Sequence, residues 1–282
     1  MASRAGPAEF VRRGIAGEVR RIFNDQARGE QPIEVSDDAL IPRGSVAWRV
    51  HGDVTTMMIG GIAGLLLQML HPLALAGVWD HSNFRRDMIG RLRRTARFIA
   101  VTTYGERGAA EAAIDRVRRI HEAVTGSLPD GTPYRAGDPH LLAWIHVAGS
   151  LSFLDAWIRL MEPAMTRADQ DRYFAEVADG ARRLGADPVP VTRSEADALL
   201  RAYLPELRAD RRSRDVRDII LRPKSSPAMI PIERLLTQSA ISLLPPFARR
   251  LHALSAAGLT RPALFASARG LARTLQWALR KA

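Results

Sequence analysis

Along most of this chain apolar residues recur at helical rather than alternating spacing. Over 7–27, Phe10, Ile15, Val19 and the pair Ile22/Phe23 recur with arginines between them, which predicts an amphipathic helix. The next segment, RGEQPIEVSDDALIPRGSVAWRVHGD, is rich in Pro, Gly and Asp and reads as a loop. From 54 to 70 the chain is apolar nearly all round, so it predicts a central helix covered on most faces, which Pro72 should end or kink just after Leu70. Amphipathic spacing returns from Asn83 to about Tyr104, with Gly105 as the stop. It continues from Glu106 to Val124 with the apolar row Ile114, Val117, Ile120/His121, Val124, closed by Gly126.

The stretch SLPDGTPYRAGDP is a turn-rich loop, and Pro139 to Met161 is a long apolar helix carrying Trp144, Phe153 and Trp157. Residues 167–185 and 193–204 read as two surface helices separated by GADPVPVT. Beyond Pro205 the helices shorten, broken at Pro223, Pro227, Pro231, Pro245, Pro246 and Pro262. No run of alternating β-branched residues demands a sheet, and no fixed-period repeat is present. The predicted fold class is therefore all-α: a single multi-helix globular domain over 1–282, built around the central apolar helix.

Composition narrows the chemistry more than the fold. At 282 residues and 46% hydrophobic content the chain can bury a sizeable core. It is basic, with 41 Lys+Arg against 30 Asp+Glu, but lysine occurs only at Lys224 and Lys281. Such arginine dominance is partly what a GC-rich genome produces, so it says little for nucleic acid. The absence of cysteine excludes disulfides, thiolate metal sites, cysteine nucleophiles and thiolate-ligated haem together. No long apolar region precedes a cleavage site in MASRAGPAEFVRRGIAGEVRRIF, so a cytoplasmic location is expected. The one membrane candidate, 57–79, carries Gln68, His71 and Pro72 near its middle and suits a buried core helix better.

The candidate chemistry lies within 57–126. His121 falls in the apolar row of its helix; alone, such a histidine is more often a satisfied core residue, yet neutral imidazole is also the commonest protein ligand to haem iron. Arg91, Arg94, Thr95 and Phe98 stand at i, i+3, i+4 and i+7, on one helical face. Without further context this is a solvated arginine face. Six arginines between Arg85 and Arg97 face only Asp87, but interleaved stacking aromatics are missing, so no nucleic-acid partner is expected and haem propionates or an anionic intermediate suit the face better. His71, Asp80 and His81 match no compact ligand motif, and His146 reads as a core histidine held by hydrogen bonding. A hydrolase is disfavoured because the G-x-S-x-G elbow is absent.

Taken together, GLLLQMLHPLALAGVWDHSNFRRDMIGRLRRTARFIAVTTYG, then RVRRIHEAVTG, then DGTPYRAGDPHLLAWIHV, resemble the family of bacterial latex-clearing rubber oxygenases and the fungal oxygenase of mycophenolic acid biosynthesis. The likeness runs from about Val46 to about Tyr203, leaving 205–282 as a helical extension expected to pack on the rest. It implies an all-α fold with b-type haem. The family's R-x-x-K/R-T element falls on Arg91, Arg94 and Thr95, and its proximal haem histidine on His121. Arg94 stands where rubber oxygenases carry a lysine; arginine stays protonated and is a poor iron ligand. Their catalytic glutamate has no counterpart between Leu73 and Asp80, where Asp80 is only a weak substitute.

The resemblance implies an oxygenase that uses O₂ on a hydrophobic small substrate of isoprenoid or lipid-like character. In it His121 ligates iron, Arg91 and Arg94 neutralise anionic groups, and Thr95 donates a hydrogen bond on the distal side. Two alternatives come from other classes. One is a haem sensor or carrier without turnover. The other is a peripheral membrane protein, bound through the basic amphipathic segment FARRLHALSAAGLTRPALFASARGLARTLQWALRKA.

Overall fold

The computed structural model describes residues 33–222, 227, 229–255 and 261–279, so the amphipathic helix expected over 7–27 lies outside the described residues. The stretch 54–70 is a helix, α2 (Val54–Gln68), preceded by a short α1 (Val46–His51) in a segment expected to be all loop. Helix α1 forms because its N-terminus is satisfied from afar. Ser45 caps it locally, while the Glu176 carboxylate accepts the N–H groups of Val46 and Ala47 at 3.3 and 2.7 Å. A sequence pattern cannot show a cap supplied from 129 residues away.

Pro72 acts as expected. Helix α2 stops at Gln68, and Pro72 starts α3 (Pro72–His81), which turns away at 104°. The stretch 57–79 is thus two bent helices with most of α2 buried, rather than one straight rod. Helix α4 (Met88–Tyr104) begins later than the spacing suggested, because Asp87 caps it by accepting the Gly90 N–H at 2.7 Å and 83–87 form a turn. Helix α5 (Arg107–Ala123) follows.

Gly126 does not simply end a helix. It belongs to β1 (Thr125–Ser127), which pairs antiparallel with β2 (Pro133–Arg135) inside the segment expected to be loop. Gly126 faces Tyr134, whose ring comes so close that any side chain at 126 would strike it. The long apolar helix α6 (Pro139–Leu160) is next, then α7 (Arg167–Leu184), α8 (Arg193–Ala202) and a 3₁₀ turn (Leu204–Glu206). The C-terminal part holds α9 (Arg211–Leu221), α10 (Ile230–Leu243), α11 (Pro246–Leu251) and α12 (Arg261–Leu279). The fold is all-α apart from the small hairpin.

Its core is the crossing of α2 and α6, where small residues let two backbones approach. A Cβ placed on Gly60 would meet Phe153 Cα at 2.9 Å, and one on Gly64 would meet Gly149 Cα at 3.4 Å. Around that crossing Ile59, Leu66, Trp144 and Leu154 are fully buried. Helix α2 is also gripped at both ends. Asp53 caps its start and accepts from Gln276 of α12 at 3.0 Å, while Trp144 Nε1 and His252 Nε2 donate to the carbonyls of Gln68 and Leu66 at 3.2 and 2.8 Å. In α12 Leu264, Phe265, Ala268 and Ala272 are buried and Arg269 donates to Leu160 O at 2.7 Å.

Candidate functional site

Helices α4 and α5 lean together beside the core, and α4 is unusual in how little of it is filled. Among the described residues between Met88 and Thr103, none of its side chains is fully buried, although Leu92, Phe98, Ile99 and Val101 are apolar. An amphipathic helix normally closes its apolar stripe against a core. Here that stripe stays half-open. The central helices show the same property on one side, where Met57 and Gly61 of α2 and Ile145, Gly149 and Phe153 of α6 are half-buried.

Two polar groups of α4 and α5 are drawn out of water. His121, in the last turn of α5, is half-buried, and its Nδ1 is buried with no hydrogen-bond partner among the described residues. Burial lowers its pKa from the ordinary value, and the Arg91 cation lowers it further, so the ring is neutral near pH 7. Arg91 of α4 is half-buried as well and donates from Nη1 to Ser82 Oγ at 3.0 Å. Its pKa is also lowered, first by burial and then by Arg94, which marks a guanidinium drawn out of bulk water.

The other two residues of the arginine element lie differently. Arg94 is exposed and pairs with Asp87 at 3.3 Å. Thr95 is exposed too, its hydroxyl donating to Arg91 O within the same helix at 3.2 Å. One edge of the face therefore looks into the fold and the other looks out. Asp80 accepts from Tyr134 OH at 2.8 Å and stands 3.8 Å from Arg212, so it is held structurally. His81 binds Thr125 O and Tyr134 OH, not His71.

His146 is hydrogen-bonded as expected, but weakly: its Nδ1 is 3.4 Å from Ser150 Oγ and its Nε2 is buried without a partner. Burial lowers its pKa to about 4, with Arg182 adding to the effect. Trp144 belongs to the sealed core and Phe153 to the half-open side. A cleft of about 370 Å³ opens where Asp53 and Val54 meet Gln276, and none of Arg91, Arg94, Thr95 or His121 lines it.

Sequence reasoning missed two groups near these elements. Ser82, the partner that holds Arg91, follows α3 at its C-terminal end and carried no periodic signal. His71 meets Glu206 at 3.1 Å and shares it with His140. Those three positions lie too far apart in the chain for any spacing rule to join them.

A neutral imidazole with one unpartnered buried nitrogen thus stands near a guanidinium drawn out of bulk water, on an all-α frame. The sequence comparison supplies the class. Residues 48–277 match the family described as ER-bound oxygenase mpaB/B'/Rubber oxygenase, catalytic domain, and the chain belongs to that family. No curated protein and no solved structure matches it. The chain is accordingly an oxygenase-family enzyme, an oxidoreductase whose family acts with O₂ on small molecules.

Proposed function

We propose that the protein is a b-type haem-dependent oxygenase that uses O₂ on a hydrophobic small substrate, isoprenoid or lipid-like in character. The observation that carries this is His121, a neutral imidazole whose buried nitrogen lacks a partner beside the inward Arg91, at the positions that the family resemblance assigns to haem. A neutral imidazole whose side chain has no hydrogen-bond partner at Nδ1 among the described residues leaves Nε2 free to ligate, and with a cation nearby it fits a haem iron with its propionates. His121 would hold the iron and Arg91, steadied by Ser82, would neutralise a propionate. Arg94 and Thr95 lie at the outer rim of the same helix, where Arg94 adds positive charge. When bound, haem supplies the iron at which O₂ is taken up. The half-open row of Met57, Gly61 and Phe153 would give an apolar substrate a dry wall.

The test is an absorption spectrum of protein expressed with haem supplied, beside His121→Ala. The expected result is a Soret band in the wild type that is lost or shifted in the variant. A wild type with no Soret band, or a variant with an unchanged one, overturns the assignment. A second reading, haem binding without turnover, is favoured by the lack of a free carboxylate on α3, since Asp80 is engaged by Tyr134. Oxygen consumption with isoprenoid and fatty substrates separates the two: turnover supports the oxygenase and none supports a sensor or carrier.

A further inference from the structure

Three side chains from distant parts of the chain converge outside the His121 and Arg91 pair. His71 precedes α3, His140 is the second residue of α6 and Glu206 closes the 3₁₀ turn. One ligand atom from each lies within 4.8 Å of the other two. Glu206 Oε2 is 3.1 Å from His71 Nε2, and Oε1 is 2.9 Å from His140 Nε2. Two imidazoles and one carboxylate are the donor set of facial-triad metal centres. Metal–ligand bonds of about 2.0–2.2 Å place neighbouring donors roughly 3 Å apart, close to the two separations between Glu206 and the histidines.

Hydrogen bonds can give the same distances, so the protons must be counted. The Tyr203 hydroxyl donates to His140 O at 2.6 Å. Having spent its one proton there, Tyr203 Oη can only accept from His140 Nδ1, 3.2 Å away. A neutral His140 therefore carries its hydrogen on Nδ1 and a lone pair on Nε2. That lone pair points at a carboxylate whose oxygens are 2.9 and 3.1 Å away. Two acceptors at that distance repel unless a cation stands between them.

His71 repeats the problem from the buried side. It is 2% exposed, and its Nδ1 has no partner among the described residues. Whichever nitrogen carries its hydrogen, one buried ring atom goes unsatisfied or one lone pair faces Glu206. A second proton on His140 would answer one of these demands. A metal ion takes up both Nε2 lone pairs and the carboxylate charge together.

The surroundings suit an ion that must enter and then be held in place. His140 and Glu206 reach solvent, at 55% and 40% side-chain exposure, which leaves an approach and room for water as further ligands. The rings are also oriented, with the Tyr203 ring 4.5 Å from His140 and the Trp144 ring 6.1 Å from His71. Arg208 and the N-terminal ends of α3 and α6 oppose a cation. Against them stand three donors, one of them the Glu206 carboxylate. We propose that His71, His140 and Glu206 form a binding site for a divalent transition-metal ion of the zinc or ferrous type, separate from His121.

The experiment titrates Co²⁺ into the untagged full chain, following ligand-field absorption and the metal retained after dialysis. The expected result is one equivalent of Co²⁺, displaced by Zn²⁺. His140→Ala, a solvent-facing change whose folding is checked by circular dichroism, should abolish the bands. Tyr203→Phe, which removes the group that fixes the His140 tautomer, should weaken binding roughly 10–100-fold. His121→Ala should bind Co²⁺ as the wild type does. Failure of the wild type to bind Co²⁺ stoichiometrically, or wild-type binding by His140→Ala, overturns the proposal whatever the haem spectrum shows.

Discussion

Acid should unfold this protein through two histidines that the proposed chemistry does not use. His51 is tied by Nδ1 to Thr103 Oγ1 at 3.0 Å and by Nε2 to Tyr173 OH at 3.1 Å, and burial lowers its pKa to about 4. His146 sits on α6 with one unpartnered nitrogen, and its pKa is likewise lowered to about 4. In the unfolded chain both return to about 6.5. Between those values the unfolded state binds more protons than the folded one, so stability rises with pH across the window. It is complete above pH 6.5 and is lost as the pH falls toward 4.

Linkage then gives a loss of up to about 2 kcal/mol for each ring between pH 7.5 and pH 5, or roughly 4 kcal/mol for both. With a urea dependence of about 3 kcal/mol per molar for a chain of this size, the unfolding midpoint should fall by about 1.3 M. His71, His121 and His252 have pKa values lowered by burial and add in the same direction. The assay is urea unfolding followed by circular dichroism at pH 7.5 and pH 5, in the wild type and in His51→Gln/His146→Gln. The double variant should lose markedly less between the two pH values. An equal fall in its midpoint would refute the assignment of the acid lability to these rings.

Two further substitutions probe the α2–α6 crossing. Trp144→Ala removes a side chain with 0% exposure and its bond to Gln68 O, and should cost about 3–5 kcal/mol, read as a lower urea midpoint at pH 7.5. Gly60→Ala puts a methyl 2.9 Å from Phe153 Cα and Ser152 O and should cost about 1–3 kcal/mol, more than the helix propensity it gains. Gly61→Ala is the control. Its methyl meets only Phe153 Cε1 at 3.8 Å, so the thermal midpoint should hold or rise.

Wherever a residue's neighbours in sequence decide its structure, the pattern was enough. The apolar run 54–70, the break at Pro72 and the long α6 all follow from local spacing, and the structure reproduces them within a few residues. Failures came where partners arrive from elsewhere. Helix α1 depends on Glu176, and the hairpin depends on Tyr134 sitting over Gly126, with its hydroxyl bound to Asp80. Spacing also places Arg91, Arg94 and Thr95 on one face without saying which edge of that face turns inward. In the structure Arg91 donates to Ser82 and its charge acts on His121, while Arg94 pairs with Asp87 outside.

The same distinction bears on the carboxylate that the family resemblance leads one to seek between Leu73 and Asp80. That segment offers only Asp80, fixed by Tyr134, yet a carboxylate does stand at the head of α3. It is Glu206, brought back by the 3₁₀ turn after α8 and laid against His71. A base free to take a proton would keep an oxygen clear of other side chains. Glu206 instead has oxygens 3.1 Å from the ring of His71 and 2.9 Å from that of His140. Both oxygens already face imidazole nitrogens, which an ion would join to them, and neither is clear to take a proton from a substrate. The arrangement therefore argues for Glu206 as a ligand that fixes an ion, and against a mobile base transplanted from another position in the chain.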